Sequence, residues 1–285
     1  MYQVVSKKAL NSTVIQMEIL SPLVASKAKP GQFIILRVDE EGERIPLTVA
    51  GVNKEKGLTK IIFQVVGATT EKLKHKEVGD YISDFVGPLG KPTQTEGIKK
   101  VCIIGGGVGC AIALPVAEEF HALSAEVTSI IGFRNKDLVI LQDEFNSCSD
   151  KLILMSDDGS IGNKGNVTMP LKEMLEEDPN RFDAIFAIGP LIMMKFVVLT
   201  AKPFNVPVTV SMNPIMIDGT GMCGGCRLTI NKDGKPVKRF ACVDGPDFNG
   251  YEVDFDEAMN RNRQYHEFEK HAYEQACNLF KKEVE

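Results

Sequence analysis

The sequence contains no tryptophan and only four histidines in 285 residues. The histidines show no metal-ligand spacing, so we expect them to be solvated; they are His75, His121, His266 and His271. Basic residues are not in excess either. The formal net charge is −5 and no basic stripe marks a nucleic-acid surface. No apolar run is long enough to span a bilayer, so we expect no membrane segment.

Seven cysteines are present, an odd number, and the first residues do not read as a signal peptide. This combination is typical of a protein kept in a reducing cytoplasm. At this length the chain has room for about two domains and a small additional module. No set of acid, base and nucleophile stands out, so we predict no catalytic side chain.

The most informative stretch runs from Asp218 to Cys226 and is followed by Cys242. Its spacing is Asp-x4-Cys-x2-Cys, then fifteen residues, then Cys, and four of its first nine residues are glycines. This spacing matches the ligand frame of plant-type [2Fe–2S] proteins, with a carboxylate in place of the first thiolate. The glycines favour a loop whose backbone N–H groups turn inward towards bridging sulfides. We therefore predict Asp218, Cys223, Cys226 and Cys242 as cluster ligands.

Two other interpretations of these cysteines stay open from the spacing alone. A Cys-x-x-Cys pair can bind zinc, with Asp as a further ligand. It can also be a dithiol redox pair, although that motif belongs at the start of a helix. Here a hairpin is predicted instead, with strands at 227–230 and 237–242 joined by a turn at 231–234. That hairpin would bring Cys242 back beside the loop.

Residues 1–97 show the pattern of an antiparallel β-barrel. Strands are predicted at 13–19, 32–38 and 60–66, separated by turn signals at 30–31 and 53–57. Short strands with little helix are typical of such a barrel.

Three stretches of this barrel are candidates for ligand binding. Arg44 to Thr48 places a cation suited to phosphate before a hydroxyl suited to a flavin ring nitrogen. Gly67 to Thr70 opens a short helix whose free N–H groups favour an anion. Gly87 to Gly90 is a tight turn that lets the backbone approach a ligand.

Residues 98–212 alternate strands and helices, which predicts a doubly wound parallel sheet. A buried strand at 100–105 runs into the glycine loop Gly105–Gly109 and then a helix at 110–123. This is the arrangement of a dinucleotide site, although the glycine spacing departs from G-x-G-x-x-G. Further strands are predicted at 125–131, 152–155 and 184–188, each followed by a loop at the edge where such sheets bind ligands.

The end of the chain is predicted as a [2Fe–2S] module at 213–252 and a helical tail at 253–285. Asp254 or Asp256 is expected to cap the tail helix. Its apolar residues are expected to share one side; they are Phe255, Met259, Phe268, Ala272, Ala276, Leu279 and Phe280. This side either docks on the chain itself or wraps a partner subunit.

Five motifs taken in order resemble the ferredoxin-NADP+ reductase superfamily. They are Arg44-x-Pro-x-Thr48, Gly87-Pro-Leu-Gly90, Gly105–Gly109, Gly189-Pro-x-x-Met193 and the cluster loop. Two kinds of electron-transfer subunit within it are similar over nearly the whole chain. One belongs to dihydroorotate dehydrogenase. The other is the small subunit of the NADH-dependent reduced ferredoxin:NADP+ oxidoreductases, which are electron-bifurcating transhydrogenases. The first kind has Cys at the position of Asp218, so Asp218 favours the second.

The resemblance implies three cofactors: FAD, NAD(H) and the [2Fe–2S] cluster. The implied FAD contacts are Arg44, Pro46, Leu47, Thr48, Gly67, Thr69, Thr70, Gly87, Pro88, Leu89 and Gly90. The implied NAD(H) contacts are Gly107, Val108, Gly109, Gly189, Pro190 and Met193, with Asp157 and Asp158 flanking the nicotinamide pocket. Pro46 and Leu47 stand where plant-type reductases carry a ring-stacking Tyr.

The same resemblance implies a partner and a function. The chain is expected to pass electrons between NAD(H), FAD and the cluster to a large subunit that carries FAD and [4Fe–4S] clusters, and indirectly to ferredoxin. NAD(H) is favoured over NADP(H). The alternatives are the electron-transfer subunit of dihydroorotate dehydrogenase and, in another class, a non-catalytic zinc-bearing binding module.

Overall fold

The computed structural model describes residues 1–282, with side chains up to Cys277. Its N-terminal part is one curled antiparallel sheet of seven strands in the order β6-β1-β2-β5-β4-β3-β7. The elements are β1 (Tyr2–Ala9), β2 (Val14–Leu20), α1 (Pro22–Lys27), β3 (Phe33–Arg37), β4 (Arg44–Asn53), β5 (Leu58–Gln64), α2 (Ala68–Lys74), β6 (Tyr81–Ile82) and β7 (Asp84–Leu89).

Alternation of apolar residues explains how this sheet forms its core. In β2, Met17 and Ile19 point inward and are fully buried, while Gln16 and Glu18 remain partly exposed. They pack with inward residues of β3 and β5 inside the curl. The predicted barrel is therefore confirmed as a curled half-barrel sheet.

The central part is a second seven-stranded sheet, in the order β11-β10-β9-β8-β12-β13-β16. Its first elements are β8 (Lys100–Gly106), α3 (Cys110–Ala122), β9 (Glu126–Phe133), α4 (Gln142–Cys148), β10 (Lys151–Ser156), β11 (Asn163–Lys164), α5 (Thr168–Glu177), β12 (Ala184–Ile188), α6 (Leu191–Ala201) and β13 (Val208–Ser211). These strands pair in parallel, and strands such as Ala184–Ile188 are buried throughout because helices cover both faces. The predicted doubly wound sheet is confirmed.

The remaining elements form the cysteine-bearing part and the tail. They are β14 (Arg227–Lys232), β15 (Lys235–Phe240), α7 (Ala241–Asp244), β16 (Asp247–Asn249), α8 (Phe255–Arg263) and α9 (His266–Lys282). The β14–β15 hairpin agrees with the predicted turn. The strand β16 was not predicted; it pairs antiparallel with β13 and so joins the cysteine-bearing part to the central sheet.

The tail differs from the predicted single helix. It contains two helices with a turn at Gln264–Tyr265, and Asp254 caps the first by accepting from the Glu257 N–H at 2.9 Å. The predicted apolar side is not buried along its whole length, because the first residues of α9 are exposed. Phe268 is 67% exposed, whereas Ala276 is 7% exposed. The side chains of Leu279 and Phe280 lie outside the described residues.

Two apolar clusters join the parts of the chain. One contains Phe33 and Ile35 of β3 together with residues of the central sheet and the cysteine-bearing hairpin. The other packs Val14, Ala50 and Ile62 of the first sheet against α3 and its neighbours. Helix α8 contacts α6 and β14, and α9 returns to α2 on the first sheet. Within residues 1–282, no helix combines the length and apolar character needed to cross a bilayer.

Candidate functional site

The glycine loop after β8 is the centre of the nucleotide-binding candidate. A 3₁₀ turn at Gly107–Gly109 links β8 directly to α3. Gly107 has φ +55° and open space where a side chain would be, so the backbone there is accessible to a ligand. The N-terminal end of α3 follows, and its dipole favours an anionic group at the loop.

The second nucleotide motif meets this loop in space. A Cβ on Gly106 would collide with the Met193 sulfur, and a Cβ on Gly109 would lie 2.5 Å from the Ile188 carbonyl oxygen. Gly189 also lies against Gly106, because a Cβ on Gly189 would lie 3.1 Å from the Gly106 carbonyl oxygen. The structure therefore brings together the predicted residues Gly107, Val108, Gly109, Gly189, Pro190 and Met193.

The position of these loops in the sheet is that of a ligand crevice. The strands β8 and β12 are neighbours, with Gly105 paired to Ile188, and the chain leaves them towards opposite sides of the sheet. Ligands of doubly wound sheets bind at such a switch point, outside the carboxyl ends of the strands. The two glycine loops lie at this switch point.

Asp157 and Asp158 lie elsewhere on the same edge. They follow β10, two strands away from β8, and their N–H groups donate to the carbonyls of Phe133 and Arg134. The hydroxyl and N–H of Ser160 bond to the Asp158 carboxylate and lower its pKa. The structure therefore does not bring them beside Gly189 and Met193. They face the loop that begins at Arg134, which is nearer the expected position of an adenosine ribose.

The flavin-binding candidates lie on both sides of strand β3. Phe33 is paired with Thr48 of β4 on one side and with Leu89 of β7 on the other. The segments 44–48 and 87–90 are thus held as neighbours by a single strand. Pro46 and Leu47 lie between Arg44 and Thr48 in β4 and are partly buried. Arg44 to Thr48 therefore form one continuous stretch beside β3.

Arg44 is available for a ligand, because only a weak contact occupies it. Its guanidinium is 48% exposed and lies 3.7 Å from the Asp84 carboxylate, which Arg37 already binds at 2.6 Å. An exposed guanidinium whose neighbour is already paired can turn towards a phosphate. Helix α2 lies nearby, since Lys72 pairs with Asp39 beyond the end of β3.

The two predicted threonines at the start of α2, Thr69 and Thr70, have different environments. The Thr70 hydroxyl accepts from the N–H groups of Val66 and Gly67 and donates to the Gly67 carbonyl, so it acts as a capping group. Thr69 is buried at 7% exposure. The backbone at Gly67 has open space where a Cβ would be. The backbone there is therefore better placed for a ligand than either hydroxyl.

The loop from Asp218 to Cys226 sits on the flavin-binding candidates. Gly219, Gly221 and Gly224 have φ values of +76°, +85° and +67°, which favour glycine. A Cβ on Gly219 would lie 2.6 Å from Leu89 Cδ1 and 3.0 Å from Ile35 Cγ1. The loop backbone is therefore packed directly against the turn at 87–90.

The four predicted ligands form two close pairs. The sulfurs of Cys226 and Cys242 are 3.2 Å apart, and both residues are 2% exposed. The Asp218 carboxylate accepts from the Cys223 N–H at 2.8 Å, and Cys223 is exposed. In the side-chain positions of the described residues, no three His, Cys, Asp or Glu converge on one metal position. The structure thus brings together Cys226 with Cys242 and Asp218 with Cys223, but not all four.

Hydrogen bonds and burial set the protonation of this group. The hydroxyl of Thr220, its N–H and the N–H of Cys223 bond to the Asp218 carboxylate and hold its pKa well below the usual range. Burial, followed by the neighbouring Cys226 thiol, raises the pKa of Cys242. A thiol pair of this kind becomes a pair of thiolates when a metal replaces its protons.

The donor set fits an iron–sulfur cluster. Three thiols and one carboxylate are provided, two of the thiols already face each other, and glycine N–H groups line the loop between them. Cys110, in contrast, is fully buried under the glycine loop, where burial raises its pKa. Its position is that of a small packing residue between the glycine loop and α3.

Sequence reasoning missed three residues that shape the site: Phe33, Ile35 and Gly106. Phe33 and Ile35 read only as alternating core residues of a strand. Gly106 lay inside the glycine run, which was its available signal, but it was not assigned a role. Its close approach to Met193 shows that it is needed for contact between the two nucleotide loops.

Residues 213–254 match the iron–sulfur cluster binding domain of dihydroorotate dehydrogenase B. The dihydroorotate dehydrogenase B (NAD+) electron transfer subunit homolog of Thermotoga maritima is 47% identical over 272 residues, which cover 95% of this chain and 94% of that protein. The chain belongs to the family of dihydroorotate dehydrogenase B electron transfer subunits and their homologues.

Other members of the family and solved structures agree. The electron transfer subunit of Desulforamulus reducens is 32% identical over 241 residues, covering 83% of this chain and 91% of that protein. A solved structure of an NADH-dependent reduced ferredoxin-NADP oxidoreductase, described in connection with flavin-based electron bifurcation, is 46% identical with a TM-score of 0.89. It covers 96% of this chain and 97% of that chain.

Family membership confirms several predictions. The chain is a flavin- and iron–sulfur-dependent oxidoreductase subunit of the ferredoxin reductase type. The predicted cofactors, FAD, a [2Fe–2S] cluster and NAD(H), are confirmed at the level of the family, and the zinc-bearing alternative is disfavoured. The individual contact and ligand residues stay predictions.

Proposed function

We propose that this chain carries electrons between NAD(H) and a large partner subunit in an electron-bifurcating NADH/NADPH/ferredoxin transhydrogenase. The partner would bear its own FAD and [4Fe–4S] clusters, and ferredoxin would be reached through it. The observation that supports the internal electron route is the packing of Gly219 against Leu89 and Ile35, because the turn at 87–90 is the predicted flavin-binding turn.

Three groups of residues would hold the cofactors. The glycine loop at 107–109 and Gly189 to Met193 would hold the dinucleotide at the switch point. Arg44 would bind the flavin phosphates, while Thr48 and the backbone at 87–90 would contact the ring. FAD supplies the conversion between two-electron hydride chemistry and the single electrons that an iron–sulfur cluster accepts.

The protein's own contribution is to hold the predicted binding segments in fixed positions. Phe33 holds Thr48 and Leu89 at fixed register on its two sides, so the two flavin segments move as one. Helix α3 packs on the first sheet through Ala50 of β4 and Ile62 of β5, which fixes the glycine loop relative to this sheet. No side-chain acid or base is required for hydride transfer in this arrangement.

The two cysteine pairs suggest how the cluster would be held. Cys226 and Cys242, with sulfurs 3.2 Å apart, would bind one iron. Asp218 and Cys223, linked by the hydrogen bond from the Cys223 N–H, would bind the other. The exposed side of the second pair carries Met222, which is 89% exposed, and would face the partner subunit.

The dihydroorotate dehydrogenase subunit is a second candidate. The matched iron–sulfur domain and the relatives' names favour it as much as the bifurcating structure favours the first. Asp218 favours the transhydrogenase, because the dihydroorotate dehydrogenase subunits that this chain resembles have Cys at this position. The localisation in the cytoplasm stays a prediction.

Co-purification with the natural partner tests the choice. A tag on this chain should recover a partner that contains FAD and [4Fe–4S] clusters, and the complex should reduce NADP+ when given both NADH and reduced ferredoxin. Recovery of an FMN-bearing partner that reduces NAD+ with dihydroorotate would establish the second candidate and contradict the first. A complex that holds zinc and no flavin would contradict both.

A further inference from the structure

We propose that Asp247 is a positioning residue that fixes the Cys242 side of the cluster site to the flavin-binding turn and to the nucleotide sheet. The inference rests on the proposed electron route from FAD to the cluster. Asp247 opens β16, five residues after Cys242, and it belongs to none of the predicted binding motifs.

The Asp247 side chain joins two parts of the chain that are far apart in sequence. Its Oδ2 accepts from the Thr93 hydroxyl at 2.6 Å, across 154 residues. Ser211, the last residue of β13, is paired with Asp247 in the β13–β16 ladder, and its hydroxyl lowers the pKa of the Asp247 carboxyl. Thr93 belongs to the linker between the first sheet and the second. The Asp247 side chain therefore connects the β16 segment to this linker and lies beside the end of β13 in the nucleotide sheet.

Backbone hydrogen bonds surround this contact and involve the same segments. The Lys91 N–H donates to the Gly245 carbonyl at 2.7 Å, and the Met212 N–H donates to the Pro246 carbonyl at 2.9 Å. Thr93 is itself held, because its N–H donates to the Pro30 carbonyl at 3.0 Å. Residues 245–247 are therefore clamped between the linker and the end of β13.

The linker also supports the other half of the cluster site. Leu89 contacts Gly219, and a Cβ on the next residue, Gly90, would lie 3.0 Å from Pro246. Residues 89–93 thus touch both the Asp218 loop and the segment that follows Cys242. Asp247 is the side chain that fixes this second contact, so its loss should shift Cys242 relative to the flavin turn.

The environment of Asp247 explains why the contact is specific. Within residues 1–282, no cation pairs with this carboxyl; its partners are the two hydroxyls. Its removal from solvent raises the pKa of Asp247. The Asp247 carboxyl is partly buried, and the hydrogen bond from the Thr93 hydroxyl offsets the cost of removing it from water.

The test compares D247A, D247N and T93V in the complete holoprotein, mixed anaerobically with NADH. Bleaching of the flavin absorbance reports hydride transfer, and freeze-quenched EPR reports arrival of the electron at the cluster. In D247A and T93V we expect wild-type flavin bleaching and wild-type cluster content. We expect cluster reduction to slow, because without this hydrogen bond the Cys242 side of the site is held less firmly against the predicted flavin-binding turn. D247N should retain a rate near wild type, because its amide oxygen still accepts from Thr93.

Three outcomes would overturn the assignment: wild-type cluster reduction in D247A, equal slowing of both phases, or equal impairment of D247A and D247N. T93V removes only the hydroxyl that donates to Asp247. It therefore provides the same test if D247A does not fold. Failure of the proposed function is separate. It would appear as wild-type protein in which NADH bleaches no flavin or reduces no cluster, and it would overturn both proposals.

Discussion

At the scale of single residues, the Asp218 carboxylate accepts hydrogen bonds that shape its loop and is also a predicted cluster ligand. It accepts from the Thr220 hydroxyl at 2.6 Å and from the Cys223 N–H at 2.8 Å, and so shapes the loop between itself and Cys223. It is also the predicted oxygen ligand. An oxygen ligand is harder than thiolate and bonds iron less covalently, so it is expected to tune the potential of the cluster.

Replacing Asp218 with Cys should therefore change the potential and keep the cluster. Ligand replacement in other [2Fe–2S] centres moves the potential by hundreds of millivolts, so we expect a shift of roughly 100 mV or more. EPR-monitored redox titration measures it. D233N, a substitution in the exposed hairpin turn, is the matched control and should leave the potential unchanged. An unaltered potential in D218C would show that Asp218 has no tuning role.

A second residue-scale prediction concerns Gly106. A methyl group there would collide with the Met193 sulfur and push the two nucleotide loops apart. Overpacking of this kind costs about 1–3 kcal/mol, so G106A should slow NADH-driven flavin reduction roughly tenfold or more. FAD content should not change. The double variant G106A/M193A removes the collision and should be faster than G106A, reaching the rate of M193A alone, because Met193 is itself a predicted NAD(H) contact. If it is no faster than G106A, the contact is not the cause.

At the scale of elements, the tail links the cysteine-bearing part to the flavin sheet. Helix α8 packs on α6 and β14, and α9 then reaches α2, whose first residues are flavin-binding candidates. In α9, Ala276 is buried, whereas Phe268, eight residues earlier, is exposed. The tail is therefore expected to support α2, rather than to be a free arm.

A pair of charge substitutions tests this support. A276E would bury a carboxylate against its neighbours and should lower the free energy of unfolding by about 1–3 kcal/mol. It should also reduce the FAD retained after gel filtration. F268E places the same charge in solvent and should change neither quantity. Identical behaviour of the two variants would contradict a docked tail.

Helices and strands were predicted from the sequence better than the contacts between them. Alternation identified the β2 region because Met17 and Ile19 are buried while Gln16 and Glu18 between them are partly exposed, and the strand–glycine–helix pattern located β8 and α3. The short strand β16 was missed, since Asp247 to Asn249 is only three residues long and is defined by its pairing with β13. The break at Gln264–Tyr265 carries no proline or glycine, so the sequence offered no signal for it.

At the scale of the whole molecule, the arrangement of the three parts is the main result. Motifs assigned Leu89 and the cysteine loop to separate sites, and their contact through Gly219 could not be read from spacing. The same holds for Thr93 and Asp247, which are 154 residues apart. Local patterns indicate which residues bind, whereas long-range packing decides which sites are neighbours, and that packing depends on tertiary structure.

Electron transfer from NADH to the cluster depends on the proximity of the cysteine loop to the predicted flavin turn, and anaerobic titration with NADH measures it. The purified holoprotein is titrated while flavin absorbance and the EPR signal of a reduced [2Fe–2S] cluster are followed together. We expect the cluster signal to appear within the same turnover that bleaches the flavin, without any added partner. A flavin that bleaches while the cluster stays oxidised, or a preparation that contains no [2Fe–2S] iron, would contradict it.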